Sequence, residues 1–305
     1  MEELFTSIVS LVKIQNTQQN ALKQAITESL NLIDYKFDKA AKKIVIKPNL
    51  CYYWDCTTGQ TSDPRFVGEL IDFLREQISP DVDISVIESD ASAMRCKYAF
   101  RMLGFEHLAK EKNVQLINLS EEPSDETQVT VNGKPYTFQV PKIIKEADLR
   151  INLPKIKYTV DPIKITCALK NLYGCNPYTK KYKLHNDLGN VIVALNKAMP
   201  FDLVLIDSNI ASGIQPRRIS LMMASTDPVA IDVAASKIAW LNPQSIPYLR
   251  LAETEGVGNK WFIERGVPLE EFRMLYPKKT VRRKVMGRAY KMVLQVGLGR
   301  RLGLE

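Results

Sequence analysis

Four lysines, Lys155, Lys157, Lys164 and Lys170, fall within sixteen positions that otherwise read as protein interior. A lysine ammonium is seldom taken out of water without a partner. Cations embedded in an apolar pattern therefore point to an anion site or to paired carboxylates. The plainer reading is a solvated face, which suits Lys164 better; for Lys157 and Lys170 both readings stand. Lys47 is followed by Pro48 and Asn49, and Lys170 by Asn171, so each of these cations has a side-chain amide close by. Lysines hold a carboxylate or phosphate by charge, and amides complete its hydrogen bonds. His185 adds a group whose unperturbed pKa of about 6.5 suits proton transfer, although a satisfied structural histidine would look the same in sequence.

Carboxylates form a second set. Asp207 closes an apolar run, Asp227 precedes Pro228, and Asp232 sits among Val229, Ala230, Ile231, Val233 and Ala234. Asp227-Pro228 is accounted for by a helix start alone, with aspartate as N-cap and proline in the first turn. Asp232 is different, because an unpaired carboxylate in an apolar stretch is costly. The expectation is that it meets Lys157, Lys170 or a metal ion; a purely structural buried pair fits as well. Asp207, Asp227 and Asp232 are thus the candidate ligands of a divalent ion, or the groups that orient a base.

Elements of alternating type must bring these residues together. The first 35 residues read as helical, with apolar residues at Leu4, Ile8, Leu11 and Val12 and again at Ala21, Ala25, Ile26, Leu30 and Ile33. Strands are expected at 43–50, 83–88, 114–119, 149–153, 203–207 and 219–224. Helices are expected at 64–77, opened by Asp63-Pro64, and at 96–104, 187–199, 228–239, 244–256 and 268–275. Asn132-Gly133 between alternating runs marks an antiparallel hairpin over 127–140, as an insertion or a sheet edge. Strands alternating with helices indicate an α/β fold with a mostly parallel sheet flanked by helices. Ligands in such folds bind beyond the carboxyl ends of the strands. Five expected strands end near Lys47-Asn49, Glu88-Asp90, Lys155-Lys157, Asp207 and Thr226-Asp227, and these should share one rim.

Taken in order, Lys47-Pro48-Asn49, Pro154-Lys155-Ile156-Lys157, Lys170-Asn171 with Gly174, His185, and Asp227-Pro228 with Asp232 resemble the pattern of the domain of unknown function 362 family. The resemblance spans about residues 42–259 and implies a fold and a site rather than a particular reaction. That family is in turn similar in architecture to nickel-pincer lactate racemases. One position departs: Thr159 stands where the family pattern has a histidine, two residues after the second lysine of Pro-Lys-x-Lys. That imidazole is missing from the site the resemblance implies.

Composition narrows the classes. The chain has 305 residues, 45% of them apolar, enough for one large or two modest domains. It lacks an apolar run approaching the roughly 20 residues of a membrane span, and Met1-Glu2-Glu3 is acidic where a secretory signal is basic. A cytoplasmic protein, peripheral to a membrane at most, is expected. Five scattered cysteines without Cys-x-x-Cys argue against an iron–sulfur cluster or a zinc knuckle. Gly297-x-Gly299 lacks a flanking strand and helix, and Gly256-Val257-Gly258-Asn259 follows a helix, so a dinucleotide is not expected. The net charge of +8 is concentrated in 278–305, which holds nine Lys and Arg against Glu305 and leaves 33 basic and 33 acidic residues over 1–277. Division into a 1–277 body and a 278–305 tail follows. Val281, Val285, Ala289, Met292 and Val296 recur at helical spacing, so the tail reads as a basic amphipathic helix. It would pack on its own body or a second subunit, lie on an anionic membrane, or meet an acidic partner; a nucleic-acid role has least support, because the body is neutral.

Two functions follow from these residues. In the first, the protein is an enzyme acting on a small anionic molecule. Lys47, Asn49, Lys155 and Asn171 bind the substrate, and His185, Lys170 and Lys157 carry acid–base chemistry of isomerase or lyase type, with or without a divalent metal. In the second, it is a non-catalytic ligand or cofactor carrier that docks through its basic tail.

Overall fold

A computed structural model describes residues 6–15, 20–50 and 52–278. The chain opens with β1 (Ser7–Lys13), α1 (Ala21–Leu32), β2 (Lys43–Pro48), α2 (Pro64–Gln77), β3 (Asp83–Glu88), α3 (Cys96–Met102), α4 (Phe105–Lys112) and β4 (Gln115–Asn118). A hairpin of β5 (Ser124–Val131) and β6 (Lys134–Pro141) leads through α5 (Lys142–Lys145) to β7 (Leu149–Leu153). Two short strands, β8 (Lys157–Tyr158) and β9 (Ile165–Thr166), precede α6 (Ala168–Asn171) and α7 (Leu188–Ala198). Then come β10 (Leu203–Ala211), β11 (Arg217–Ser225), α8 (Pro228–Ile238), α9 (Pro247–Thr254), β12 (Phe262–Gly266) and α10 (Leu269–Leu275).

Eight strands form one sheet in the order β12-β1-β11-β10-β7-β2-β3-β4. Every pairing in it is parallel except the two made by β11, which runs against both β1 and β10. The expected α/β architecture is therefore present, and β5–β6 is an insertion with its own two-stranded sheet. Side chains alternate across the strands as the pleat requires. Ile44 and Ile46 face α1 to α4 with Phe66, Leu70 and Ile71, whereas Val45 faces the layer built from α6 to α10 and the hairpin. Among the described residues, no helix is long and apolar enough to cross a membrane.

Two expectations are corrected here. The first 35 residues are not continuously helical: Ser7–Lys13 is a strand, and the helix begins at Ala21. Ile8, Leu11 and Val12 fit helical spacing, but Val9, Ser10, Leu11 and Val12 are all buried in sequence, as a strand covered on both faces must be. The second concerns the rim. Because β11 is antiparallel, its carboxyl end lies at the opposite edge from those of β2, β3, β7 and β10, and it carries Asp227 away with it. The basic amphipathic helix expected in the tail lies beyond Lys278, outside the described residues.

Candidate functional site

Lys47 and Asn152 stand at the carboxyl ends of adjacent parallel strands, β2 and β7, in register with each other. Asn152 Nδ2 donates to the carbonyl of Ala168 at 3.0 Å, which ties the sheet to α6 and places Lys170 and Asn171 over the rim. A relay of amides follows. Lys157 Nζ donates to Asn49 Oδ1 at 2.5 Å, Asn49 Nδ2 to Asn171 Oδ1 at 2.8 Å, and Asn171 Nδ2 to Asn152 Oδ1 at 2.7 Å. Every link donates in the same direction, from the Lys157 ammonium towards the backbone of α6, so each bond polarises the next. Lys157 Nζ also donates to the Gln60 carbonyl at 2.9 Å.

Beside this relay lies a buried ion pair. Lys47 Nζ is 2.8 Å from Glu88 Oε2, at the end of β3, and 2.7 Å from the Pro48 carbonyl; both side chains are almost wholly removed from water. Gly174 closes over the pair. A Cβ there would lie 2.8 Å from Glu88 Oε1 and 2.9 Å from Lys47 Nζ, so the family glycine leaves room for the two charges to meet. Lys181 comes next, 5% exposed, with Nζ 2.5 Å from Ser89 Oγ and 2.6 Å from the Asp90 carbonyl. Both acceptors are neutral. Burial pushes its pKa down to about 8, with the Glu88 charge opposing that fall.

Lys170, Tyr173 and His185 make the outer part. Lys170 Nζ lies 5.6 Å from the centre of the Tyr173 ring, and that ring is 6.0 Å from His185. The Tyr173 hydroxyl donates to the carbonyl of Lys181 at 2.5 Å, fixing the 3₁₀ turn Lys181–Asp187 that carries His185. Desolvation, and after it the Lys170 charge, hold His185 below the usual histidine pKa, so it is a neutral base at neutral pH.

Asn152 lies behind, but the other side chains of the relay, the ion pair and the outer part line one cleft of about 1200 Å³. Its wall includes five lysines (Lys47, Lys157, Lys164, Lys170 and Lys181) and two carboxylates (Glu88 and Asp161). Thr159, the position that departs from the family pattern, is also on that wall.

The remaining candidates lie elsewhere. Lys155 Nζ is 2.5 Å from the Asp207 carbonyl and 3.3 Å from its Oδ2, a buried pair outside the cleft lining. Asp227 caps α8, accepting from the Val229 and Ala230 amides at 2.8 and 2.9 Å, and its Oδ2 accepts from Ser7 Oγ and the Asn259 amide. Among the described residues, Asp232 meets no lysine. It accepts from the Ala168 and Leu169 amides at 2.6 and 3.2 Å and so anchors the start of α6 from beneath. Burial raises its pKa to about 7 against the opposing effect of Cys167 and of those bonds. The three aspartates thus have separate structural partners. Among the described residues, no group of three or more His, Cys, Asp or Glu is placed to hold a metal ion.

Lys181, like Asn152 and Tyr173, is a site residue that sequence reasoning passed over. It stands in Lys180-Lys181-Tyr182-Lys183, which reads as solvated charge. The available signal was the three-residue spacing of Lys181 and Leu184, which turns both inward in a 3₁₀ turn.

Three comparisons bear on this arrangement. The model of a domain of unknown function (DUF362) matches residues 44–237, which include every residue of the relay and the ion pair. A thylakoid-associated protein of Synechocystis sp. is 33% identical over 151 residues, 45% of this chain and 46% of that protein, so the match spans about half of the relative's length. The structure of the lactate racemase apoprotein from Thermoanaerobacterium thermosaccharolyticum aligns with a TM-score of 0.48 at 11% identity, covering 76% of this chain and 57% of that one.

Proposed function

The chain belongs to the DUF362 family, and from the residues gathered in its cleft we propose that it is an enzyme acting on a small anionic molecule, a carboxylate or phosphate, by acid–base chemistry of isomerase type. The observation that carries this reading is the gathering of Lys157, Lys170, Lys181 and His185 on one cleft wall where five lysines face two carboxylates. Lys157 and Lys170 attract the anion, and Asn49 and Asn171 fix the direction of the hydrogen bonds around it.

Proton transfer is assigned to His185 and Lys181, which burial holds below their ordinary pKa values and so closer to the neutral base. Neutral His185 removes a proton from carbon next to a carbonyl: the C–H bond breaks, an N–H bond forms, and the electron pair moves into an enolate held by the lysines. Charged Lys181 returns a proton to carbon, which restores the carbonyl and leaves the amine neutral. Exchange with water resets both groups. No step is routed through a metal, because Asp207, Asp227 and Asp232 do not converge.

Solvent exchange tests this reading. In D2O, wild-type protein incubated with a panel of 2-hydroxy and 2-oxo carboxylates should incorporate deuterium at the carbon next to the carbonyl, C2 of the hydroxy acids and C3 of the oxo acids, followed by proton NMR. His185→Ala should slow incorporation by roughly 10²–10⁴-fold while calorimetric binding of the same acid persists. Binding without exchange across the panel would instead favour a non-catalytic ligand carrier. That second reading draws on the thylakoid association in the relative's name and on the charge of 278–305 as a docking segment at a membrane surface or acidic partner. Failure of both binding and exchange would remove the anion-site reading.

A further inference from the structure

Resting on the anion-site reading, we propose that the ligand carries its anionic group on a planar, conjugated ring system, and that Tyr52, Trp54 and Tyr182 hold that ring at the cleft mouth. A cavity of about 1200 Å³ is far larger than a bare phosphate or a short-chain acid fills, and it exceeds the usual span of roughly 300–1,000 Å³ for drug-sized ligands. The charged groups lie towards the bottom, where Lys157 and Lys181 are buried. Tyr52, Trp54 and Tyr182 line the same cleft and remain 47%, 49% and 57% exposed.

Single exposed aromatic residues are ordinary on protein surfaces. Tyr52 and Trp54 differ in being paired and anchored. The Tyr52 and Trp54 rings stand 5.5 Å apart, tilted by 51°. Their loop is fastened just beyond by Asp55, which caps the turn Cys56–Thr58. Gly59 then packs against β10 so closely that a Cβ would lie 2.6 Å from backbone atoms of Ala211 and Ser212. Gln60 accepts from Lys157, so the loop that presents the rings is bonded to the cation on the cleft floor.

Two other rings on the wall have cations over their faces. Trp240 has Arg273 Cζ at 4.4 Å and Lys278 Nζ at 4.1 Å over it, and Tyr173 has Lys170. Among the described residues, no cation lies over Tyr52, Trp54 or Tyr182. These three rings are therefore the surfaces on which a flat ligand can stack, as bases stack on aromatic platforms in single-strand binders. An aryl carboxylate and an aryl phosphate, including a nucleotide, share the required chemistry.

The test uses calorimetry on the full chain with inorganic phosphate, phenyl phosphate, 1-naphthyl phosphate, 1-naphthoate and 1-naphthol. Affinity should rise at least tenfold from inorganic phosphate to 1-naphthyl phosphate. The ratio should collapse to less than threefold in Trp54→Ala and in Tyr182→Ala and persist in Trp261→Phe, which alters an exposed tryptophan outside the cleft. The stronger of 1-naphthoate and 1-naphthyl phosphate identifies the head group. Equal affinity along the phosphate series, a ratio that survives both alanine variants, or 1-naphthol binding as tightly as the anions would each overturn the proposal. If inorganic phosphate binds and the series is flat, only the ring assignment falls. If none of the anions binds, the anion-site reading falls with it.

Discussion

Lys181 and Asp232 are buried groups of opposite charge, each pushed towards its neutral form, and they act on stability in separate pH windows. Asp232 has a folded pKa of about 7 against an unfolded value near 3.8. Between those values the folded protein holds a proton that the unfolded chain has released, so the contribution of Asp232 is complete below about pH 4 and is lost as pH rises through 7. Lys181 has a folded pKa of about 8 against 10.5, so here the unfolded chain binds the extra proton and stability increases as pH rises across that interval. Urea unfolding across pH 4–10.5 should show both slopes. Asp232→Asn is expected to flatten the acid one, by at most a few kcal/mol, since a tenfold change in proton affinity corresponds to about 1.4 kcal/mol. Lys181→Met should flatten the alkaline one. Slopes unchanged in both variants would refute the assignment. At this scale the sequence was informative where a charge interrupted an apolar pattern. Lys157, Asp232 and Lys155 all proved buried, but their partners lie far away in the chain, and local spacing does not encode them. Asp232 found two backbone amides in place of a lysine for that reason.

Elements were legible where local chemistry alone decides them. Asp63 caps α2 by accepting from the Arg65 amide at 2.9 Å, and Asn132-Gly133, both at positive φ, turns β5 into β6. Direction within the sheet was not legible, since an antiparallel β11 has the same residue pattern as a parallel one. The strand β12 was missed because it is a sheet edge in which only Phe262 and Arg265 are partly covered, so no apolar alternation marks it. The turn Leu172–Cys175 supplies the element-scale prediction. Its Gly174 seats the turn on the Lys47–Glu88 pair, and a methyl group placed there meets both partners inside van der Waals contact. Gly174→Ala should cost about 1–3 kcal/mol by overpacking and weaken anion binding as the pair is pushed into the cleft. Thermal unfolding and phosphate calorimetry on the same variant check this. Wild-type values in both would mean that the turn yields without moving the pair.

The whole molecule divides by charge rather than by architecture. Residues 279–305 contribute eight Lys and Arg and one acid, leaving 34 basic against 33 acidic residues in the rest of the chain. Deleting 279–305 keeps Lys278 on Trp240 and should abolish co-sedimentation with anionic phosphatidylglycerol vesicles while phosphate binding in the cleft persists. Vesicle binding that survives the deletion would place the membrane-directed surface on the body. The sheet order has a consequence for how the protein is made. β1 lies between β11 and β12, the last two strands of the sheet to be synthesised. A ribosome adding about 5–20 residues per second needs roughly 10–40 s after β1 emerges before β11 can pair with it. Throughout that interval a buried-type segment, Ser7–Lys13, waits with both edges open, which makes it the natural first ligand of a chaperone and the place where premature termination would seed aggregation.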